Sequence, residues 1–358
     1  MPDRVLVTGG AGFVGSAISF ELKRRFPCAD VVAFDNLRRR GSELNVPRLA
    51  AAGIRFVHGD VRQASDLEAV PADLLVECSA EPSAQAGYAG SPDYVVQTNL
   101  MGCYNCLNLA SRAKADFVFL STSRVYPAAT LNGLCFRETS TRFEWLDQQS
   151  IPGASALGIA ETLSTAGARS IYGMTKLAAE LMIEEFGDAF GLRYVINRCG
   201  LIAGPWQMGK VDQGVVTLWL AAHYFGRPLR YIGFGGEGKQ LRDILHVGDL
   251  AALIGAQAGS MDRFNRLTLN VGGGLEFSRS LREMTMDCQE LTGRSIEFGS
   301  EALERRADLR IYVTDNRKIE SVCGWKPLRG PAVVLKDTLD WIAENQEQVG
   351  PALFAPAS

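Results

Sequence analysis

Tyr172 and Lys176 stand four residues apart in Tyr172-Gly173-Met174-Thr175-Lys176, so on a helix they share one face. A tyrosine of pKa ~10 is a poor base near neutral pH, and bringing it toward 7 takes roughly 4 kcal/mol. A lysine ammonium with a second cation close by could supply that in a partly dry site, because both favour the phenolate. The spacing alone occurs often by chance. Its partner is Ser121-Thr122-Ser123-Arg124-Val125-Tyr126, which follows the apolar run Phe117–Leu120. A hydroxyl at such a strand end can share a substrate proton with Tyr172.

The second cation is suggested by the other end of the chain. Gly9-Gly10-Ala11-Gly12-Phe13-Val14-Gly15 follows the strand-like Val5–Thr8 and opens a helical stretch. Glycines permit a tight turn and close backbone approach to a pyrophosphate, while a helix N-terminus offers N–H donors and positive dipole. Asp35, twenty residues after Gly15, ends the next strand, where a carboxylate accepts from an adenosine ribose and repels a 2′-phosphate. This favours NAD over NADP, with Arg38-Arg39-Arg40 as the competing signal. In His58-Gly59-Asp60-Val61, Asp60 is placed either to accept from the adenine amino group or to cap a helix over Val61–Leu67.

These side chains need a frame. Strands are expected at Val5–Thr8, Val31–Asp35, Arg55–His58, Leu74–Cys78, Phe117–Ser121, Tyr194–Arg198 and Thr268–Val271, and helices at Gly12–Arg25, Asp93–Ala113 and Tyr172–Phe190. The alternation predicts an α/β fold, a Rossmann-type doubly wound parallel sheet with a smaller C-terminal substrate-binding lobe. Residues 1–199, with 243–271 returning to them, form the expected NAD-binding domain. The lobe takes 200–242 and 273–345, and 350–358 form a frayed tail. The polar stretch Pro127–Ser170 reads as one long functional loop.

Composition narrows the function classes. At 47% hydrophobic and 22% charged, the chain has the make-up of a soluble globular enzyme. A net charge of -3 argues against a sequence-independent grip on nucleic acid. No apolar run approaches the ~20 residues that span a bilayer, and Val5-Leu6-Val7 reads as a buried strand rather than a signal peptide. Eight cysteines without framework spacing suggest a reducing cytoplasm. Cys103 and Cys106 form a lone C-x-x-C in a helix and read as buried small residues; His58, His223 and His246 share no ligand spacing, so no metal is expected.

Taken together, the glycine turn, Asp35, Asp60, Asn99 in Thr98-Asn99-Leu100, the strand-end hydroxyls, Tyr172/Lys176 and Arg242-Asp243-Ile244-Leu245-His246-Val247-Gly248-Asp249 resemble the extended short-chain dehydrogenase/reductase family over most of the chain. Within it, Asp35–Glu43, Glu138–Arg142, Asp212-Gln213-Gly214 and Gly238–Asp243 are similar to the CDP-tyvelose (CDP-paratose) 2-epimerase type. The resemblance implies a nucleotide-sugar epimerase that oxidises a sugar hydroxyl with NAD and returns the hydride to the opposite face. Thr122, Tyr172 and Lys176 take the catalytic positions, and Asn99 the one that supports the catalytic helix. Besides the glycine turn, Asp35 and Asp60, the cofactor set includes Asn36, Val61, Ser79, Ala80, Asn99, Ser121, Tyr172, Lys176 and Cys199. Glu81, Ser123, Arg124, Gln207, Gln213, Arg242 and Arg305 fall to the substrate. For Arg242 and Arg305, diphosphate binding competes with ordinary surface salt bridges.

Two departures stand out: Pro127 follows Val125-Tyr126 where glycine is usual, and Ser79-Ala80-Glu81-Pro82-Ser83 brings a carboxylate near the cofactor or the substrate. Family dehydratases carry Asp-Glu after the strand-end threonine; Ser123 and Arg124 supply no such acid–base pair. A nucleotide-sugar 4-epimerase, a net dehydrogenase or reductase, and a non-catalytic NAD-binding regulator are the alternatives. The small and apolar residues Leu107, Ala110, Ala178, Ala179 and Leu181 suggest that two helices pair with a second copy, as a homodimer or homotetramer.

Overall fold

The computed structural model describes residues 1–88, 90–209 and 213–354. Asp212 of the Asp212-Gln213-Gly214 segment, and residues 355–358 of the expected tail, lie outside the described residues.

The apolar runs become strands and the periodic stretches between them helices. From the N-terminus these are β1 (Arg4–Thr8), α1 (Phe13–Arg25), β2 (Asp30–Asp35), α2 (Asn45–Ala51), β3 (Arg55–His58), α3 (Ala64–Glu68) and β4 (Leu74–Glu77). There follow α4 (Asp93–Val96), α5 (Gly102–Ala113) and β5 (Asp116–Thr122). The expected helix Asp93–Ala113 is interrupted between α4 and α5 by a π turn over Gln97–Met101. Such a turn widens the helix by one residue, and here it buries Thr98 and Asn99.

The stretch Pro127–Ser170 is more structured than a loop. It holds α6 (Ala128–Asn132) and two small antiparallel pairs, β6 (Phe136–Glu138) with β7 (Phe143–Trp145) and β8 (Ala154–Ser155) with β9 (Gly158–Ile159). Beyond it come α7 (Ile171–Phe190), β10 (Tyr194–Cys199), β11 (Leu201–Ala203), α8 (Val215–Phe225), β12 (Leu229–Ile232), β13 (Leu241–His246), α9 (Val247–Gly259), α10 (Met261–Phe264) and β14 (Leu267–Val271). The chain closes with β15 (Ser278–Ser280), α11 (Leu281–Thr292), β16 (Phe298–Glu301), β17 (Ile311–Tyr312), α12 (Arg317–Cys323), α13 (Pro331–Glu344) and α14 (Gln346–Phe354). The tail expected to fray from Gly350 is therefore helical through Phe354; Val349 is buried and Phe354 meets Phe225 edge-on.

The central sheet has seven strands in the order β14-β10-β5-β4-β1-β2-β3, the fold class anticipated from the alternating pattern. The pairs β1–β2, β2–β3, β1–β4 and β4–β5 are parallel. Helices cover both faces of a parallel sheet, which is why Val5, Leu6 and Val7 are all fully buried. Strand order reverses at β1, flanked by β2 and β4; the carboxyl end of such a switch point is where open α/β sheets receive ligands.

Two compact units partition the chain. The first is Met1–Val125, Ile171–Arg198 and Gly248–Leu269; the second is Tyr126–Ser170, Cys199–Val247 and Asn270–Ser358. Two boundaries thus differ from expectation. Tyr126–Ser170 groups with the second unit, because Asn132 bonds Asp308 and Arg310, and Arg142 pairs with Glu283 at 2.5 Å. Asp243–Val247 also lies there, since β13 pairs with β11, β15 and β17 in a sheet of its own. Leu107, Ala110 and Ala179 are fully buried in the core of the first unit and are not free to face a second copy. Leu181 is exposed.

The start of α1 admits no side chain at position 15. A Cβ there would lie 2.1 Å from the Gly9 carbonyl oxygen and 2.7 Å from its carbon, both backbone atoms that cannot give way. Gly15→Ala is expected to cost about 1–3 kcal/mol by overpacking and to weaken NAD binding with it. Thermal unfolding and calorimetric titration with NAD, run on the same sample, check both.

Candidate active site

The glycine turn is built for close approach. Gly9 has φ +63°, and a Cβ on it would lie 2.9 Å from the Ser79 nitrogen. The Gly12 N–H donates to the Gly9 carbonyl at 3.0 Å, and Gly12 stands at the N-cap of α1 with no side-chain cap. The first turn, Phe13-Val14-Gly15, therefore begins without a side-chain acceptor, and its N–H groups and dipole suit an anionic diphosphate. Asn45, buried, donates from Nδ2 to the Ala11 carbonyl at 2.9 Å and fixes the turn from α2. No motif around Asn45 announces this contact, which reaches across 34 positions.

Asp35 closes the other side. Its carboxylate accepts from the Ala11 N–H at 3.2 Å and the Leu37 N–H at 2.8 Å. Burial pushes its pKa up, and the backbone donors of Leu37, Ala11 and Gly12 only partly offset that. Asn36 donates to Asp60 at 3.0 Å, and Arg62 grips the same carboxylate at 2.6 Å. The Arg62 bond, aided by Asn36, holds Asp60 at about 2 against burial. The helix-cap reading of Asp60 fails, since α3 starts only at Ala64, behind Gln63. Val61 is buried, and its carbonyl accepts from Asn105 at 2.8 Å. The guanidinium of Arg38, one of the three arginines of the competing 2′-phosphate signal, lies over the Tyr94 ring at 3.9 Å.

The carboxyl ends of β4 and β5 carry the polar core of the site. Ser79 places its hydroxyl 2.6 Å from Glu77 Oε1 and 3.1 Å from Thr8 Oγ1, with Ala80 half-buried beside it. Asn99, held at depth by the π turn, accepts from the Glu81 N–H at 2.8 Å and donates to the Glu81 carbonyl and to Thr175 Oγ1, each at 3.1 Å. One amide thus joins the β4 loop to α7. Within that loop the Glu81 carboxylate accepts from the Ser83 N–H at 3.2 Å, a local cap.

On β5, Thr122 accepts the Arg124 N–H at 3.2 Å, and Thr122 and Ser123 are both buried. Ser121 donates to Glu180 on α7, which the Arg198 guanidinium clasps at 2.7–3.1 Å. The Ser121 hydroxyl, assigned to the cofactor from the resemblance, is engaged by that buried ion pair. Glu180 and Arg198 were not singled out from the sequence, because a lone Glu and a lone Arg eighteen residues apart carry no spacing signal.

The helix α7 packs on β5 and on the turn 123–125, and it buries Tyr172, Thr175 and Lys176. Lys176 is 2% exposed, with Nζ 3.4 Å from the Glu77 carboxylate and 4.4 Å from the Phe119 ring centroid. Burial disfavours the ammonium, yet the charges of Glu77 and Tyr172 outweigh it and hold the Lys176 pKa above the ordinary lysine value. Cys103 and Cys106 are fully buried on α5, and burial drives both thiols far up, so they stay neutral.

In the second unit, Arg242 and Arg305 reach one carboxylate, Asp308, at 3.3 and 4.0 Å. Arg242 also donates to the carbonyls of Leu241 and Leu309 at 2.7 and 2.6 Å, so its fork is fixed in place. Gln207 donates to the Ile202 carbonyl and accepts from Thr217, both at 3.0 Å, which engages both ends of its amide. Gln213 is half-buried just ahead of α8, and Cys199 is buried at the end of β10. Among the described residues no group of three or more His, Cys, Asp or Glu side chains is placed to hold a metal ion. No described helix is long and apolar enough to cross a membrane.

A parallel sheet with a glycine turn and a terminal acid at its switch point defines a dinucleotide-binding α/β enzyme. The chain belongs to the NAD dependent epimerase/dehydratase family, whose model matches residues 5–272, and its cofactor is NAD. It is 27% identical to the CDP-paratose 2-epimerase of Salmonella typhi, over 94% of this chain and 98% of that one. It is also 27% identical to a dTDP-glucose 4,6-dehydratase of Mycolicibacterium smegmatis, over 96% of this chain and 94% of that one. Among solved structures it resembles a Thermus thermophilus UDP-glucose 4-epimerase in complex with NAD (TM-score 0.74, 26% identity, 95% of this chain and 99% of that one).

The Asp60–Arg62 pair gives a pH test of this corner. A carboxylate held below its unfolded value adds stability above pH ~4 that fades as pH falls toward the folded value, here about 2. The stability difference between the wild type and Asp60→Asn should therefore shrink between pH ~4 and ~2, by about 1 kcal/mol or less because the pair is partly screened. Thermal scans of both proteins across that range check it.

Proposed function

We propose that the chain is a nucleotide-sugar epimerase, specifically a CDP-sugar 2-epimerase, that inverts a carbinol carbon by transient oxidation. The observation that carries this reading is the buried set at the end of β5 and on α7: Thr122, Tyr172 and Lys176 on adjoining elements, with no carboxylate at Ser123 or Arg124. Oxidation of a sugar hydroxyl needs one base, whereas loss of water needs an additional acid and base at the next carbons. In this reading Tyr172 takes the hydroxyl proton and later returns it, Thr122 holds the same sugar oxygen, and Lys176 favours the phenolate. The first-turn backbone of α1 holds the cofactor diphosphate, Asp35 its adenosine ribose, and Asp60 with Asn36 its adenine side. Bound NAD supplies reversible hydride acceptance.

The second unit is the substrate-binding part, in which Arg242 and Arg305 bind the nucleotide diphosphate and Asp308 keeps their forks extended beforehand. The 2-epimerase reading draws on the similarity to CDP-paratose 2-epimerase over nearly the whole of both chains. A 4-epimerase is the second reading, favoured by the similarity to a UDP-glucose 4-epimerase. Met101, Tyr104, Leu181 and Phe190 leave exposed apolar surface on the stretch 93–113 and on α7, where a second copy is expected to pair.

Tyr172→Phe should lower turnover of CDP-paratose by about three orders of magnitude or more, as removal of the essential base does, with NAD affinity unchanged. A matching fall in NAD affinity would contradict the division of labour. CDP-paratose deuterated at carbon 2 should keep its label at carbon 2 of the product, and reaction in heavy water should add none. Label retained and inverted at carbon 4 of a UDP-hexose selects the second reading, and solvent deuterium at the inverted carbon rejects both. Sedimentation at micromolar concentration should show a dimer or larger.

A further inference from the structure

The Lys176 ammonium faces a group that no motif announced. Glu77, the last residue of β4, is fully buried, and its Oε2 stands 3.4 Å from Lys176 Nζ. Its Oε1 is 2.6 Å from the Ser79 hydroxyl, which lies 3.1 Å from Thr8 Oγ1. The elements around this carboxylate are β1 with Thr8, β5 with Phe119, α5 with Cys103 and Cys106, and α7 with Tyr172 and Lys176. Both thiols are held neutral by burial, so among the described residues the charged group against it is Lys176, which in turn interacts with Tyr172.

A buried carboxylate beside the catalytic lysine has a chemical consequence. An ammonium alone stabilises a neighbouring phenolate, but an ammonium paired with a carboxylate is a neutral unit with only a residual dipole. The hydrogen bond also directs one of the three ammonium protons toward β4 and fixes the rotamer of a side chain with four torsions. We propose that Glu77 is a positioning residue that anchors Lys176 and balances its charge, so that the proton affinity of Tyr172 is set by Glu77 and Lys176 together. This rests on the reading of Tyr172 as the base. It predicts that the activating power of Lys176 is held in check, and that the pH at which Tyr172 ionises answers to a residue on another element.

The test uses the full chain with NAD bound and needs no turnover. Tyrosine labelled with carbon-13 at Cζ reports ionisation by chemical shift, and the Tyr172→Phe spectrum identifies the resonance. Glu77→Gln keeps the shape and an acceptor oxygen but removes the charge. The Tyr172 midpoint should then fall by about one unit, in the range a single nearby charge produces. An unmoved midpoint in the folded variant overturns the proposal, since a purely structural Glu77 would leave it in place. If Glu77→Gln does not fold, Glu77→Gln/Lys176→Met removes both charges. The proposal expects a midpoint within about half a unit of wild type, whereas an inert Glu77 leaves the full rise of about one unit or more that loss of Lys176 causes. Failure of the base assignment would show separately, as undiminished turnover in Tyr172→Phe.

Discussion

An ammonium ion inside a protein is tolerated only with a partner, and much of the first unit is arranged around that requirement at Lys176. The side chain is almost wholly enclosed, between the Phe119 ring and the Glu77 carboxylate. Glu77 is itself satisfied by Ser79, and Ser79 is tied to Thr8 at the end of β1. A chain of polar groups thus runs across β1, β4 and α7 under the carboxyl end of the sheet. Its members are fixed by one another, so the position of Lys176 is a property of three elements rather than of α7 alone.

The same edge of the sheet shows a second buried pair of a different character. Glu180 and Arg198 clasp each other and take the Ser121 hydroxyl with them. This links α7 to β5 and β10 one turn beyond Lys176. The two pairs together lock the rotation of α7 about its own axis, and rotation is what decides where the Tyr172 phenol points. Asn99 adds a third tether, through Thr175, and the π turn over Gln97–Met101 is what sets that amide inside the helix layer. Three polar anchors over six residues of one helix, Thr175 to Glu180, hold the element that carries Tyr172 rigidly.

The cofactor corner is held by backbone more than by side chains. Gly9 and Gly15 let β1, the loop after β4 and α1 come closer than a Cβ would permit, and Asn45 and Asp35 stitch Ala11 from two sides. Such a corner can approach a diphosphate closely, because nothing projects from it. In the second unit the logic is reversed. Arg242 and Arg305 are long and charged, and Asp308 with the Leu241 and Leu309 carbonyls holds the Arg242 fork in place.

Much of this was legible in the sequence. All seven strands of the central sheet were marked by short β-branched runs, because a parallel sheet buried on both faces leaves no room for polar alternation. The glycine turn, Asp35, Tyr172 and Lys176 were readable because each belongs to one short segment whose spacing is itself the signal. What the sequence could not show was decided across distance. Glu77 pairs with a residue 99 positions away, Asn45 with one 34 away, and Ser121 with one 59 away. The region Pro127–Ser170 looked like loop because its strands are only two or three residues long, too short to express a period. Leu107, Ala110 and Ala179 looked available to a second copy because a helix that packs on its neighbours and a helix that packs on a partner present the same small and apolar residues. Only the tertiary structure says which face is already covered, since local periodicity records that a side chain is apolar and not what it meets.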